Sequence, residues 1–119
     1  MSTKPYPPIG YMDYLKINEL LELQTKRSDS YGTPGHDEML FIIVHQTYEL
    51  WFKQILTELD SVLVIFNQKS IDEEDMGKAV GRLQRIVEVQ KLLVAQVTVL
   101  ETMTPLDFLD FREALYPAS

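Results

Sequence analysis

"HDEMLFIIVHQTYELWFKQIL", residues 36–56, decides the fold, because its apolar side chains keep a single period throughout. Leu40, Val44, Tyr48, Trp51 and Ile55 recur every three or four residues, and Leu59, Val62 and Phe66 continue the series. That is the spacing of one helix face. It predicts a helix over residues 36–67, roughly 48 Å long at a rise of about 1.5 Å per residue. Asp37 and Glu38 follow the turn signal Thr33-Pro34-Gly35. They are acidic where the positive end of the helix dipole favours acids. A helix of this length needs partners along its side.

Downstream, Ser70-Ile71-Asp72-Glu73 reads as a capping box that opens a second helix. Met76, Val80, Leu83, Val87, Val94 and Val97 form its stripe, broken by Gln90 and widened by Ile86, Leu93 and Leu100. The short connection predicts an antiparallel pair, with the second helix ending near Thr102. Thr104-Pro105 then starts a short helix through "LDFLDFREAL", 106–115, stopped by Tyr116-Pro117. Upstream, Tyr11 to Gln24 is helical in pattern, with Leu15, Leu20, Leu21 and Leu23 apolar and Asn18 a candidate cap. Residues 1–10, with Pro5, Pro7 and Pro8, read as an extended arm. No stretch alternates as a strand does. The predicted class is all-α: a helical bundle with two long antiparallel helices, a short N-terminal helix behind an arm, and a short C-terminal helix.

A chain of 119 residues is one domain in size. Its net charge of −7 opposes binding to nucleic acid or to an anionic membrane surface. Without cysteine there are no disulfides and no thiolate metal sites. The first ten residues lack the apolar core of a signal peptide, and the longest apolar run, Met39 to Val44, is far too short to span a bilayer. The expected location is cytoplasmic. Ser119 closes the chain with no terminating feature, which reads as an interruption, so residues 11–119 are expected to be the N-terminal helical part of a larger domain.

Few residues are candidates for chemistry. His36 and His45 stand nine positions apart and point to opposite sides of a helix, so no metal site within the chain is expected. His36 reads as a first-turn surface residue. His45 shares a stripe with Phe41, Tyr48 and Phe52. A neutral imidazole flanked by rings suits a flat aromatic ligand with one polar hydrogen, but spacing alone favours a core histidine satisfied by a carbonyl or by Glu49. Arg112, between Phe108 and Phe111 on one side and Glu113 on the other, fits a carboxylate clamp or a surface pair with Asp107, Asp110 or Glu113. Tyr11, Tyr14 and Leu15 cluster after the arm, for packing or for contact with a neighbouring chain.

Three stretches together resemble the tryptophan 2,3-dioxygenase family: "YMDYLKINELLELQ" (11–24), "HDEMLFIIVHQTYELWFKQILTELDSV" (36–62) and "LLVAQVTVLETMTPLDFLDFREALYPAS" (92–119). The resemblance implies a haem enzyme that inserts both atoms of dioxygen into the indole ring of L-tryptophan, giving N-formyl-L-kynurenine, the first step of the kynurenine pathway. It implies that His45 accepts the indole N–H and that Phe41, Ile42, Ile43 and Val44 line the indole pocket. Phe108 would close that pocket, Arg112 would hold the substrate carboxylate, and Tyr11, Tyr14 and Leu15 would reach the neighbouring subunit of a homotetramer. Ser119 would lie near the haem edge. Haem b, with its proximal ligand supplied by later residues, would bind only with the C-terminal part of the enzyme. Met12-Asp13 departs from the small residues usual between the two tyrosines. Competing readings are a non-catalytic helical module that associates with another chain, and a free-standing indole-binding bundle. An inward-facing histidine on a helix beyond residue 119 separates the enzyme from the module.

Overall fold

A computed structural model describes residues 4–118. Its elements are α1 (Tyr11–Leu15), α2 (Ile17–Leu20), a 3-10 turn (Arg27–Asp29), α3 (Glu38–Phe66), α4 (Glu73–Leu100), α5 (Pro105–Leu109) and a second 3-10 turn (Arg112–Leu115). The described residues hold no strand. The expected all-α class and the two long helices are as read from the sequence.

α3 and α4 run antiparallel, and the side-chain bonds between them fix the register. The Tyr48 hydroxyl donates to the Leu93 carbonyl at 2.6 Å, and Arg85 meets Glu58 at 2.7 Å. Near the connecting turn, Val62 and Ile65 close a small core on Ala79, with Ile71 packed against it. Partner numbers therefore fall along α4 as they rise along α3.

The face that α4 turns to α3 differs from the expected stripe. Ala79, Ile86 and Val89 are buried, and Leu93, Gln96 and Leu100 are half-buried. Spacing of seven along Ala79, Ile86, Leu93 and Leu100 is that of a coiled-coil seam. The expected stripe, Met76, Val80, Leu83, Val87, Val94 and Val97, points away and is exposed. α4 is apolar on two sides, and periodicity alone does not say which side faces the nearest partner. α3 has one dominant face, and there Val44 and Val62 are buried as expected, although Leu59 and Phe66 near its end are exposed.

Three local expectations are corrected. The segment 11–24 is not one helix: Lys16 takes the left-handed conformation (φ 54) and divides it, and Asn18 lies inside α2 without capping anything. Beyond α2, side chains serve the chain's carbonyls: Gln24 Nε2 donates to the Leu20 carbonyl at 2.9 Å and Gln46 Nε2 to the Leu23 carbonyl at 2.8 Å. At the start of α4 the cap is Asp72, whose carboxylate accepts the Asp75 N–H at 2.7 Å, and not Ser70. The helix expected over 106–115 breaks after α5, because Phe111 leaves the helical region (φ −124, ψ −3). Thr104-Pro105 does start α5, with a full capping box between Thr104 and Asp107.

Candidate functional site

Phe41 and His45 lie one helical turn apart near the start of α3, and their rings meet with centroids 4.2 Å apart. The Nδ1–H of His45 donates to the Phe41 carbonyl at 2.7 Å. A carbonyl oxygen only accepts, so this bond fixes the tautomer: in the neutral ring Nε2 carries no proton and is left as an acceptor. Among the described residues Nε2 has no partner.

Phe41 also joins the last segment of the chain. Its ring centroid is 5.7 Å from that of Phe108 and 5.5 Å from that of Phe111, while Phe108 and Phe111 meet edge to face at 5.4 Å. These distances lie in the favourable range for aromatic pairs, worth about 0.5–1.5 kcal/mol each beyond area burial. Phe111 is only 1% exposed and anchors the cluster. The start of α5 sets Phe108 in place: the Thr104 side chain and backbone N–H bond to Asp107 and hold its carboxyl below the usual aspartate range. Arg112, immediately after Phe111, is exposed, and its side chain has no hydrogen bond or ion pair among the described residues. The expected alternative of a surface pair to Asp107, Asp110 or Glu113 does not form.

A cavity of about 450 Å³ opens on the other side of His45, walled by Leu20, Leu23 and Leu50, with Glu49 and Lys53 at its rim. That volume is in the ordinary range of small-molecule sites. Gln46 holds the wall there, since it accepts from Gln24 at 2.9 Å and donates to the Leu23 carbonyl. The sequence reading did not single out Gln46 or Gln24. Polar residues on loop and helix that clamp each other leave no periodic signal.

The remaining candidates are placed as follows. Val44 is buried, Ile42 is half-buried and Ile43 is exposed. Tyr11, Tyr14 and Leu15 are exposed and stand apart from the walls of the His45 cavity within this chain. Phe108 and Arg112 do not line that cavity either, so within this chain the imidazole and the guanidinium do not share one pocket, and the ring cluster joins His45 to Phe108 alone. His36 is exposed ahead of α3. Ser119 lies outside the described residues.

Fold and site together define an all-α protein in which a ring cluster at the start of the first long helix adjoins a free imidazole acceptor and is followed in the chain by an unpaired guanidinium. Residues 7–119 match the sequence model of the family described as tryptophan 2,3-dioxygenase. Relatives of that name include one from Bdellovibrio bacteriovorus, 65% identical over 96% of this chain and 32% of the relative. Others are from Dictyostelium discoideum, 55% identical over 93% of this chain and 28% of the relative, and from Rattus norvegicus, 56% identical over 92% and 27%. The chain belongs to the tryptophan 2,3-dioxygenase family. It spans about a third or less of the length of these curated relatives.

Proposed function

We propose that this chain is the substrate-recognition part of a haem-dependent dioxygenase that opens the indole ring of L-tryptophan to N-formyl-L-kynurenine. The observation that carries the reading is the His45 tautomer: Nδ1–H is committed to the Phe41 carbonyl, leaving Nε2 to accept the indole N–H. Phe41 offers its face to the indole, Phe108 flanks it, and Arg112 grips the substrate carboxylate with a two-pronged guanidinium. Ile42, Ile43 and Val44 complete the wall beside Phe41. Tyr11, Tyr14 and Leu15, with 71% and 70% exposure at the two tyrosines, are free to enter the site of a neighbouring subunit in a homotetramer. The setting is cytoplasmic, and no helix among the described residues is long and apolar enough to cross a membrane.

Haem b, when bound, supplies the redox chemistry with dioxygen. Neither histidine of the chain fits its proximal ligand: His45 commits Nδ1 to its own helix and turns Nε2 to the indole in this reading, and His36 is exposed before α3. What this chain supplies is orientation of the indole, through His45 and Phe41, and fixation of the amino-acid end, through Arg112. Haem is then held by the rest of the enzyme.

Steady-state kinetics of the complete enzyme test the assignment. His45→Ala is expected to lower kcat/KM for L-tryptophan about tenfold, the worth of one oriented hydrogen bond. Arg112→Ala is expected to act mainly on KM, at a cost of about 2–4 kcal/mol for a lost charge-assisted pair. Unchanged kinetics in both variants would refute the reading.

A further inference from the structure

We infer that Arg27, Ser28 and Glu38 form a brace that sets the direction of Arg112, and so are positioning residues for the carboxylate end of the ligand. The inference rests on the reading of Arg112 given above. The Arg112 side chain has no hydrogen bond or ion pair of its own among the described residues, so the backbone that carries it is what places its stem. That backbone is held from both sides. Before Arg112, Phe111 packs against Gly35 so closely that a Cβ on Gly35 would lie 3.0 Å from Phe111 Cδ1. After it, the Ala114 carbonyl accepts from Arg27 Nε at 2.8 Å.

Both contacts trace back to Glu38. Its carboxylate accepts from the Arg27 N–H at 2.8 Å, from the Ser28 N–H at 3.0 Å and from the Ser28 hydroxyl. The Ser28 oxygen in turn accepts the Gly35 N–H at 3.0 Å. Ser28 and Glu38 are both fully buried. A buried carboxylate is costly unless donors surround it, and here the donors come from the loop that grips Phe111 and Ala114. The ligand reading gives Glu38 no contact of its own. What it holds in place accounts for it.

The test measures affinity for L-tryptophan and for indole, which lacks the carboxylate, in the complete polypeptide. Arg27→Met and Ser28→Ala are each expected to weaken L-tryptophan about fivefold, the worth of one net hydrogen bond, and to leave indole unchanged. Glu38→Gln, which sets an amide N–H against the loop donors, is expected to weaken L-tryptophan further. Should that variant fail to fold, Arg27→Met still decides the matter, because the Arg27 side chain bonds at the surface. Equal weakening of both ligands would reduce the brace to a structural role and overturn the inference. Undiminished preference for L-tryptophan over indole in Arg27→Met and Ser28→Ala, alongside its loss in Arg112→Ala, would also overturn it while sparing the Arg112 reading. Retention of that preference in Arg112→Ala would remove both.

Discussion

At the scale of single residues, the site depends on groups whose partners are already decided. His45 spends one nitrogen on its own helix, and that choice leaves the other as an acceptor in the neutral ring. Gly35 is the counterpart on the loop, where the missing side chain lets backbone approach the Phe111 ring. Gly35→Ala is expected to destabilise the fold by about 1–3 kcal/mol, because Phe111 is buried with little room to shift. Chemical denaturation of wild type and variant checks this, and an unchanged midpoint would show that the contact yields. The Phe41–His45 pair was legible in the sequence, since spacing of four on a helix stacks side chains directly. Glu38 was legible only in part. Its place in the first turn reads as a dipole interaction, whereas the structure turns its carboxylate back to the loop. Nothing periodic marks such a contact.

Among the elements, the loop between α2 and α3 carries a pH dependence. Burial of Glu38 raises its pKa, but the Ser28 hydroxyl and the backbone N–H groups of Ser28 and Arg27 outweigh burial and hold it below the ordinary glutamate value of 4.5. A lowered folded pKa means stability that is fully present above 4.5 and lost as pH falls through the folded value. The thermal midpoint is therefore expected to drop below that pH, and Glu38→Gln is expected to flatten the dependence. Asp107, lowered by its bonds to Thr104, adds to the dependence in the same direction, so Glu38→Gln flattens it only in part. An identical pH profile for wild type and Glu38→Gln would contradict the clamp. The helices differ in how well the sequence announced them. α3 shows a single apolar face and was read nearly to its ends. α4 is apolar on two sides, so its most regular stripe is the one left exposed, and the seam with α3 falls to Ala79 and the flanking Ile86, Leu93 and Leu100. The break at Lys16 has no sequence mark, because lysine is an ordinary helix former elsewhere.

For the whole molecule, shape explains what single elements do not. The radius of gyration is 20.3 Å, against about 14 Å for a compact domain of this length. The long pair α3 and α4 makes the difference, with Leu63 and Val64 on one helix and Val87 and Val94 on the other left exposed. Such faces are apolar beyond what scattered surface residues require. They fit a chain that spans about a third or less of its relatives' length, and they account for the second stripe on α4 that the sequence displayed. Class and main topology were legible because helix period is a local property. The choice of seam was not, because it depends on everything that packs around the pair.

The central claim is that the free nitrogen of His45 reads an indole N–H, and an isosteric analogue tests it most directly. In the benzofuran analogue of L-tryptophan, oxygen replaces the N–H and no proton is offered. Wild-type complete enzyme is expected to bind L-tryptophan roughly tenfold more tightly than this analogue, and His45→Ala is expected to bind the two alike. A preference for L-tryptophan that survives undiminished in His45→Ala would contradict the account.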